Sequence, residues 1–220
     1  YMGAELLVQL FFMFRRKKTL YFWALFVTIW GTLLFTSTFV ALMFTNEVSI
    51  LNLIQNICWI AMTTGFSLVL YSRLHLVNPQ KIVLTTSLIV IILNAVVFHG
   101  AILSSIIYSM VHPTDAAWKA YVDLSFSEIV FAVQEIALST SYVYFFFQFT
   151  AGSRAEPKTK VILQFLIGVE LLVLAADVIL NVLLFKEIYM ARWMIQSFLV
   201  MLKVKVEFMV LNSLVEYSQS

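Results

Sequence analysis

The sequence is poor in charge. Only 12% of its 220 residues are Asp, Glu, Lys or Arg, about half the share usual for a soluble domain. A water-facing surface cannot be covered from that stock, so lipid must be the solvent for most of the exterior. There is one cysteine, Cys58, which excludes an intrachain disulfide. It lies in an apolar run and reads as a small core residue. No zinc-type Cys/His spacing occurs, so no metal site is expected. No basic run carries interleaved aromatics, which excludes a nucleic-acid partner. There is no Asn-X-Ser/Thr sequon, tandem repeat, low-complexity tract or water-soluble domain. The three prolines, Pro79, Pro113 and Pro157, all fall between apolar runs.

What is there is hydrophobic: 62% of the chain, with a mean hydropathy of +0.95. The apolar residues fall into seven runs, at 1–14, 21–44, 50–71, 82–110, 121–149, 161–185 and 193–215. All but the first are long enough for the roughly 20 residues that a helix needs to cross a bilayer. The expected fold is therefore an all-α membrane protein, a single seven-transmembrane-helix bundle over 1–220. The first run is too short to span. It reads as the inner end of a helix that continues upstream of Tyr1, or as an interfacial segment after a cleaved signal peptide. Tyr21 and Trp23 suit an interfacial aromatic belt.

The basic residues give an orientation. Arg15, Arg16, Lys17, Lys18, Arg73, Lys81, Arg154, Lys158 and Lys160 follow the first, third and fifth runs, whereas the opposite connections carry Lys119, Lys186 and Arg192. The positive-inside bias then puts the N-terminus outside and the C-terminus in the cytoplasm. The residues do not distinguish the plasma membrane from an endomembrane. The outer connections are too short to form a binding domain. The expected partners are the lipid bilayer, a small lipophilic ligand lodged between helices, and a partner membrane protein.

The run Met62-Thr-Thr-Gly-Phe-Ser-Leu-Val-Leu-Tyr-Ser-Arg-Leu-His-Leu-Val77 resembles a family of seven-helix integral membrane proteins of filamentous ascomycete fungi, known only as a domain of unknown function. The family's pattern is a Trp, then Met-Val-Thr-Gly-Gln-Ser, then Val-Leu-Tyr-Ser-Arg-Leu-His-Leu-Val. Leu20-Tyr-Phe-Trp23, Asn94, His99, Gln134-Glu135, Lys203, Glu207 and Phe208 support the likeness, which extends over nearly the whole chain. Phe66 stands where the family usually has Gln. The resemblance implies a fungal origin and a membrane location, and it implies no activity. A likeness to fungal rhodopsin-type, receptor-like proteins is one of topology.

Ionisable groups inside a span are costly and usually face the bundle interior. Glu128 and Glu135 are seven residues apart, as are Glu170 and Asp177, and Gln196, Lys203 and Glu207 share one helical face. Rise per residue places Glu170 roughly 14 Å from one edge and Lys203 roughly 16 Å from the other, at similar depth. A mid-membrane cluster of Glu135, Glu170 and Lys203 is expected. Glu128, Asp177, His99 and Asn56 form a second group nearer the outer face. Five buried acids face two bases, Lys203 and Lys205, and Lys205 is offset onto another face. Acids without a cationic partner are expected in neutral form, able to donate a hydrogen bond or a proton.

Two uses of these groups stay open. One is interhelical glue. The other is a ligand-binding, proton-handling or catalytic role. The polar cluster to consider is Glu135, Glu170, Lys203, Glu207, His99 and Asn94; the acid and base candidates are Glu128, Glu135, Glu170 and Asp177. At the cytoplasmic end of the third run, Tyr71, Ser72, Arg73 and His75 either include a conformational lock, with Arg73 paired to an acid, or simply anchor the helix at the headgroups. His75 and His112 read as interfacial. The leading expectation is a receptor-like or sensor bundle that binds a small lipophilic ligand. The alternative is an intramembrane acid–base enzyme of the terpene-cyclase kind. Lys203 lies in the last helix, where retinal would attach as a Schiff base, but the third run holds no acid to serve as counterion. No cofactor is expected.

Overall fold

The computed structural model describes residues 2–13, 19–45, 48–77, 80–112, 114, 119, 124, 127–151, 157–186 and 189–219. Seven helices are bounded among them: α1 (Met2–Met13), α2 (Leu20–Phe44), α3 (Val48–Val77), α4 (Lys81–Val111), α5 (Ser127–Ala151), α6 (Pro157–Phe185) and α7 (Tyr189–Gln219). No strand occurs among the described residues. Arg15, Arg16, Lys17, Lys18 and Arg154 lie outside them, as do the side chains of Lys158, Lys160 and Glu170.

Among the described residues, four helices are long and apolar enough to cross a membrane: α2, α4, Ile50–His75 of α3 and Ser127–Gln148 of α5. Met2–Phe12 is a shorter apolar helix. The apolar exterior is organised. On α2, Trp23, Val27, Trp30 and Leu34 recur at helical spacing and are all exposed, as a lipid-facing stripe requires. Polar side chains within α2 are neutralised locally. The hydroxyls of Thr28, Thr32 and Thr36 each donate to the carbonyl one turn back, at 2.8, 2.7 and 2.8 Å. Helix starts follow local chemistry: Thr19 caps α2 by accepting from the Phe22 N–H at 3.3 Å, and Pro157 occupies the first position of α6.

Several boundaries differ from the sequence expectation. The connection expected from Ser72 is instead helix, because Leu70 and Leu74, four apart and 4% and 0% exposed, extend the buried face of α3 to Val77. Arg73 therefore sits within a helix and is only 3% exposed, so it does not anchor α3 at the headgroups. The turn expected over 186–192 is shorter, since α7 begins at Tyr189 and takes in Arg192. Helix α6 begins four residues earlier than expected, at Pro157.

Helices α2 and α3 run antiparallel in the closest packing of the bundle. A Cβ on Gly31 would lie 2.9 Å from the backbone N of Met62, and one on Gly65 would lie 2.5 Å from Thr28 Oγ1 and 3.1 Å from its backbone N. Small residues at membrane-helix interfaces allow this approach. Gly31→Ala and Gly65→Ala are each expected to lower stability by about 1–3 kcal/mol, the usual cost of overpacking. Thermal denaturation in detergent reads this directly, and Gly100→Ala serves as the control, since its Cβ would meet nothing within 4 Å.

Helix α4 carries one π-helical turn, Ala95–His99. The wider turn rotates the register. His99 is left 5% exposed against α3 and α5, while Val96 and Val97 stay 68% and 59% exposed.

Candidate functional site

Among the described residues, three ionic layers cross the interior of the bundle. Their order along α7 is Arg192, Lys203, Glu207, and with Gln196 these fall on one helical face. Arg192 marks one end of the bundle and Arg73 the other.

In the middle layer, Lys203 Nζ donates to Glu135 Oε2 of α5 at 2.9 Å and to Asp177 Oδ1 of α6 at 2.5 Å. The Phe66 ring of α3 lies 5.3 Å from the same ammonium. Four helices thus meet at one cation, and all four side chains are buried. One ammonium stands against two carboxylates. The second Asp177 oxygen, Oδ2, is buried without a hydrogen-bond partner.

At the Arg192 end, Arg192 of α7 pairs with Glu128 of α5. At the other end, Arg73 of α3 pairs with Glu207 of α7, and its guanidinium carbon lies 4.1 Å from the Tyr142 ring centroid of α5. A peripheral pair joins α7 to α1: Lys205 donates to Glu5 at 3.3 Å.

A neutral network ties α4 to this frame. Asn94 donates to Gln134 Oε1 at 2.7 Å, and Gln134 donates to Ser67 Oγ at 3.0 Å. His99 Nε2 shares a hydrogen bond with Thr64 at 3.0 Å. Its ring stacks on Phe131 at 4.7 Å and meets Trp59 edge-on at 5.4 Å.

Two spaces flank the Lys203 node. A cavity of about 60 Å³ lies between α3, α5, α6 and α7, reaching from Glu128 and Gln196 to Glu135, Asp177 and Lys203. A crevice of about 190 Å³ lies between α5 and α6, with Ile136, Val143, Ile167 and Leu171 on its walls and Glu135 and Asp177 at its base. The two carboxylates are common to both.

The structure brings Glu135 and Lys203 together, and it adds Asp177 of α6 to them. Asp177 thus joins the Lys203 cluster and is not a member of a separate outer group. The Glu170 side chain lies outside the described residues. Side-chain direction explains why Asp177 reaches Lys203. A Cα–Cβ bond tilts toward its own helix N-terminus. Lys203 on α7 therefore leans toward the Arg192 end, while an acid on the antiparallel α6 leans the opposite way, so the α6 residue that meets Lys203 lies nearer the Arg192 end than equal backbone depth suggests. The other members of the expected outer group also separate. Glu128 pairs with Arg192, His99 with Thr64, and Asn56 donates to Asn52 of its own helix at 2.8 Å. Tyr71 is buried, Ser72 half-buried and His75 exposed.

Arg192, Gln134 and Tyr142 were not among the site candidates. Arg192 was legible in principle, being four residues before Gln196 on the polar face of α7. Tyr142 gives no such signal, since nothing in its own neighbourhood points to an arginine on another helix.

The chain belongs to the family described as Domain of unknown function (DUF7703), whose model matches residues 1–220. No curated protein and no solved structure matches it.

Proposed function

We propose that this member of the family is a receptor-like membrane bundle that binds a small lipophilic molecule at the Glu135–Lys203–Asp177 node. In this reading all seven helices lie in or across the bilayer, with the Arg192 end outside and the Arg73 end in the cytoplasm. The resemblance of the Met62–Val77 run to fungal seven-helix proteins supports it. So does the excess of Lys and Arg after α1, α3 and α5, which survives the removal of buried Arg73 and Arg192 from the comparison.

One observation carries the ligand site. Glu135 and Asp177 line the base of an apolar crevice between α5 and α6, where both also meet Lys203. An apolar body would occupy the crevice from the lipid side, with a hydrogen-bond-donating or cationic head against the carboxylates. Few polar groups at the base of an apolar pocket is the common pattern of a small-molecule site. The Arg73–Glu207 pair, about one turn along α7 from Lys203, is placed to report occupancy at the cytoplasmic end.

The test is a panel of lipophilic amines and alcohols added to the full chain in lipid nanodiscs. A true ligand at a hundred times its Kd adds about 2.7 kcal/mol of stability. The expected result is a rise in melting temperature for the wild type that is lost in Ile136→Trp, which fills the crevice. Stabilisation that survives Ile136→Trp for every active compound rules out this site.

An acid–base enzyme of the terpene-cyclase kind would use the same carboxyls. It has less support, because Lys203 already engages both. Product formed from a polyprenyl substrate, and lost in Asp177→Asn, would revive it.

A further inference from the structure

The crevice between α5 and α6 has a direction. On α5 its wall runs Glu135, Ser139 and Val143, each one turn from the next. On the antiparallel α6 it runs from Asp177 through Leu174 and Leu171 to Ile167. Both rows lead from the Lys203 node toward the Arg73 end, where Val143 follows Tyr142 and the Tyr142 ring meets Arg73 at 4.1 Å. The rise over these stretches of α5 and α6 makes a slot roughly 12–15 Å long. Ile136, Ile167 and Leu171 are 37%, 40% and 60% exposed, so its long side opens to lipid. The polar groups lie toward the node, and Val143, Ile167 and Leu171 line the other end. Ser139 adds a polar group that the protein itself does not use. The residue is buried, at 8% exposure. The hydroxyl of Ser141, on the next face of α5, turns back to the Ala137 carbonyl at 2.7 Å. The Ser139 hydroxyl makes no such bond among the described residues, and it is not one of the enclosed polar atoms of the interior, so it stays open to the crevice it lines. Ser139 also falls near the middle of the apolar span Ser127–Gln148, and so near mid-depth.

We infer that the crevice takes a single-chain lipophilic alcohol of about ten carbon atoms, with its hydroxyl between Ser139 and Glu135 and its tail toward the Arg73 end. The inference rests on the reading of the crevice as a ligand site and selects one class of ligand for it. The slot's length sets the chain, since carbon–carbon bonds of about 1.5 Å in a zigzag carry about ten carbons over that distance. Depth sets the size of the head. A phospholipid keeps its headgroup at the water interface, outside the hydrocarbon core, so its tail could fill the slot but its head could not reach Ser139. The node sets the chemistry of the head. Lys203 already supplies an ammonium to Glu135 and Asp177, and a second cation beside it would be repelled. A charged head also costs far more to bring to mid-membrane than a hydroxyl does. A hydroxyl both donates and accepts. Its O–H donates to the Glu135 carboxylate, whose two oxygens offer about four acceptor sites. Its oxygen accepts from the Ser139 O–H one turn away. The tail then lies against Val143, level with the Arg73 layer.

The test measures thermal melting of the full chain in nanodiscs that carry equal mole fractions of decanol, butanol, decylamine or decane. Decanol is expected to stabilise the wild type most, a comparison that needs no variant. Ser139→Ala is expected to weaken decanol binding about two- to tenfold, the worth of one hydrogen bond, and to leave the response to decane unchanged. Val143→Trp, which closes the tail end, is expected to abolish the decanol effect while butanol keeps its smaller one. Decylamine as effective as decanol would overturn the choice of head. Decane as effective as decanol would mean that any hydrocarbon fills the slot, and would overturn it too. So would a decanol effect unchanged in either variant that folds, or no stabilisation by decanol at all. In each of these cases the crevice reading itself can still stand, because it fails on a different result: stabilisation that Ile136→Trp shares with the wild type for every active compound.

Discussion

Lys203→Met is expected to cost about 3–5 kcal/mol of stability, because it removes the cation that two buried carboxylates share. Methionine keeps most of the side-chain volume and its contact with Phe66, so packing loss is small. The cation–π contact between Lys203 and Phe66 at 5.3 Å accounts for about 0.5–2 kcal/mol at most. The repulsion and desolvation of Glu135 and Asp177 dominate. That ranking has a direct check. In a Glu135→Gln, Lys203→Met, Asp177→Asn triple variant no charge remains to be compensated, and replacing a whole buried ionic group by neutral residues is often neutral for stability. The triple variant is expected to recover most of the loss of the single one. Denaturant titration in detergent measures both. A triple variant no more stable than Lys203→Met would mean that the cost lies in packing and not in charge.

Much of the fold was legible because lipid imposes a simple code. A span needs a long apolar run with every backbone group paired within it, and the runs at 21–44 and 82–110 coincide with α2 and α4 to within a residue. Helix ends were less legible. Ser72, Arg73 and His75 look like a water-side exit when read one residue at a time, yet Leu70 and Leu74 keep the helix packed to Val77. A buried arginine is indistinguishable from an anchoring one until its partner is known, and the partner Glu207 is 134 residues away.

The site was legible to the same depth. Faces follow from spacing along a helix, so the polar stripe of α7 and the Glu128–Glu135 edge of α5 could be drawn from numbers alone. Pairing between helices could not. It depends on helix direction, on where each helix starts, and on which way a side chain leans, and these bring Asp177 of α6 to Lys203. The π-turn of α4, which sets His99 against Thr64, Trp59 and Phe131, leaves no mark in the hydropathy pattern of Lys81–Val111.

The Arg73–Glu207 pair is the second place where one substitution should have a large effect, and its pattern separates a lock from simple glue. Glu207→Gln leaves a buried guanidinium facing a neutral amide and the Tyr142 ring at 4.1 Å. Loss of one member of a buried pair costs about 3–5 kcal/mol, and the ring returns about 0.5–2 kcal/mol of it, so a net cost of roughly 1–4.5 kcal/mol is expected. The damage should be local. Arg73 holds the last turns of α3, and Leu74 beside it is fully buried, whereas the α2–α3 packing at Gly31 and Gly65 lies toward the other end. Regions open with their own free energies, and amide exchange reports each one. In Glu207→Gln, amides over Ser72–Val77 are expected to lose protection while those over Leu25–Phe35 of α2 keep theirs. Charge reversal in both partners, Arg73→Glu with Glu207→Arg, should restore part of it. Selective opening at that end is what a lock between α3 and α7 requires, because such a device must release without melting the rest. Equal loss of protection across α2 and α3 would instead make the pair a support for the whole bundle, leaving the Lys203 node without a separate reporter at the Arg73 end.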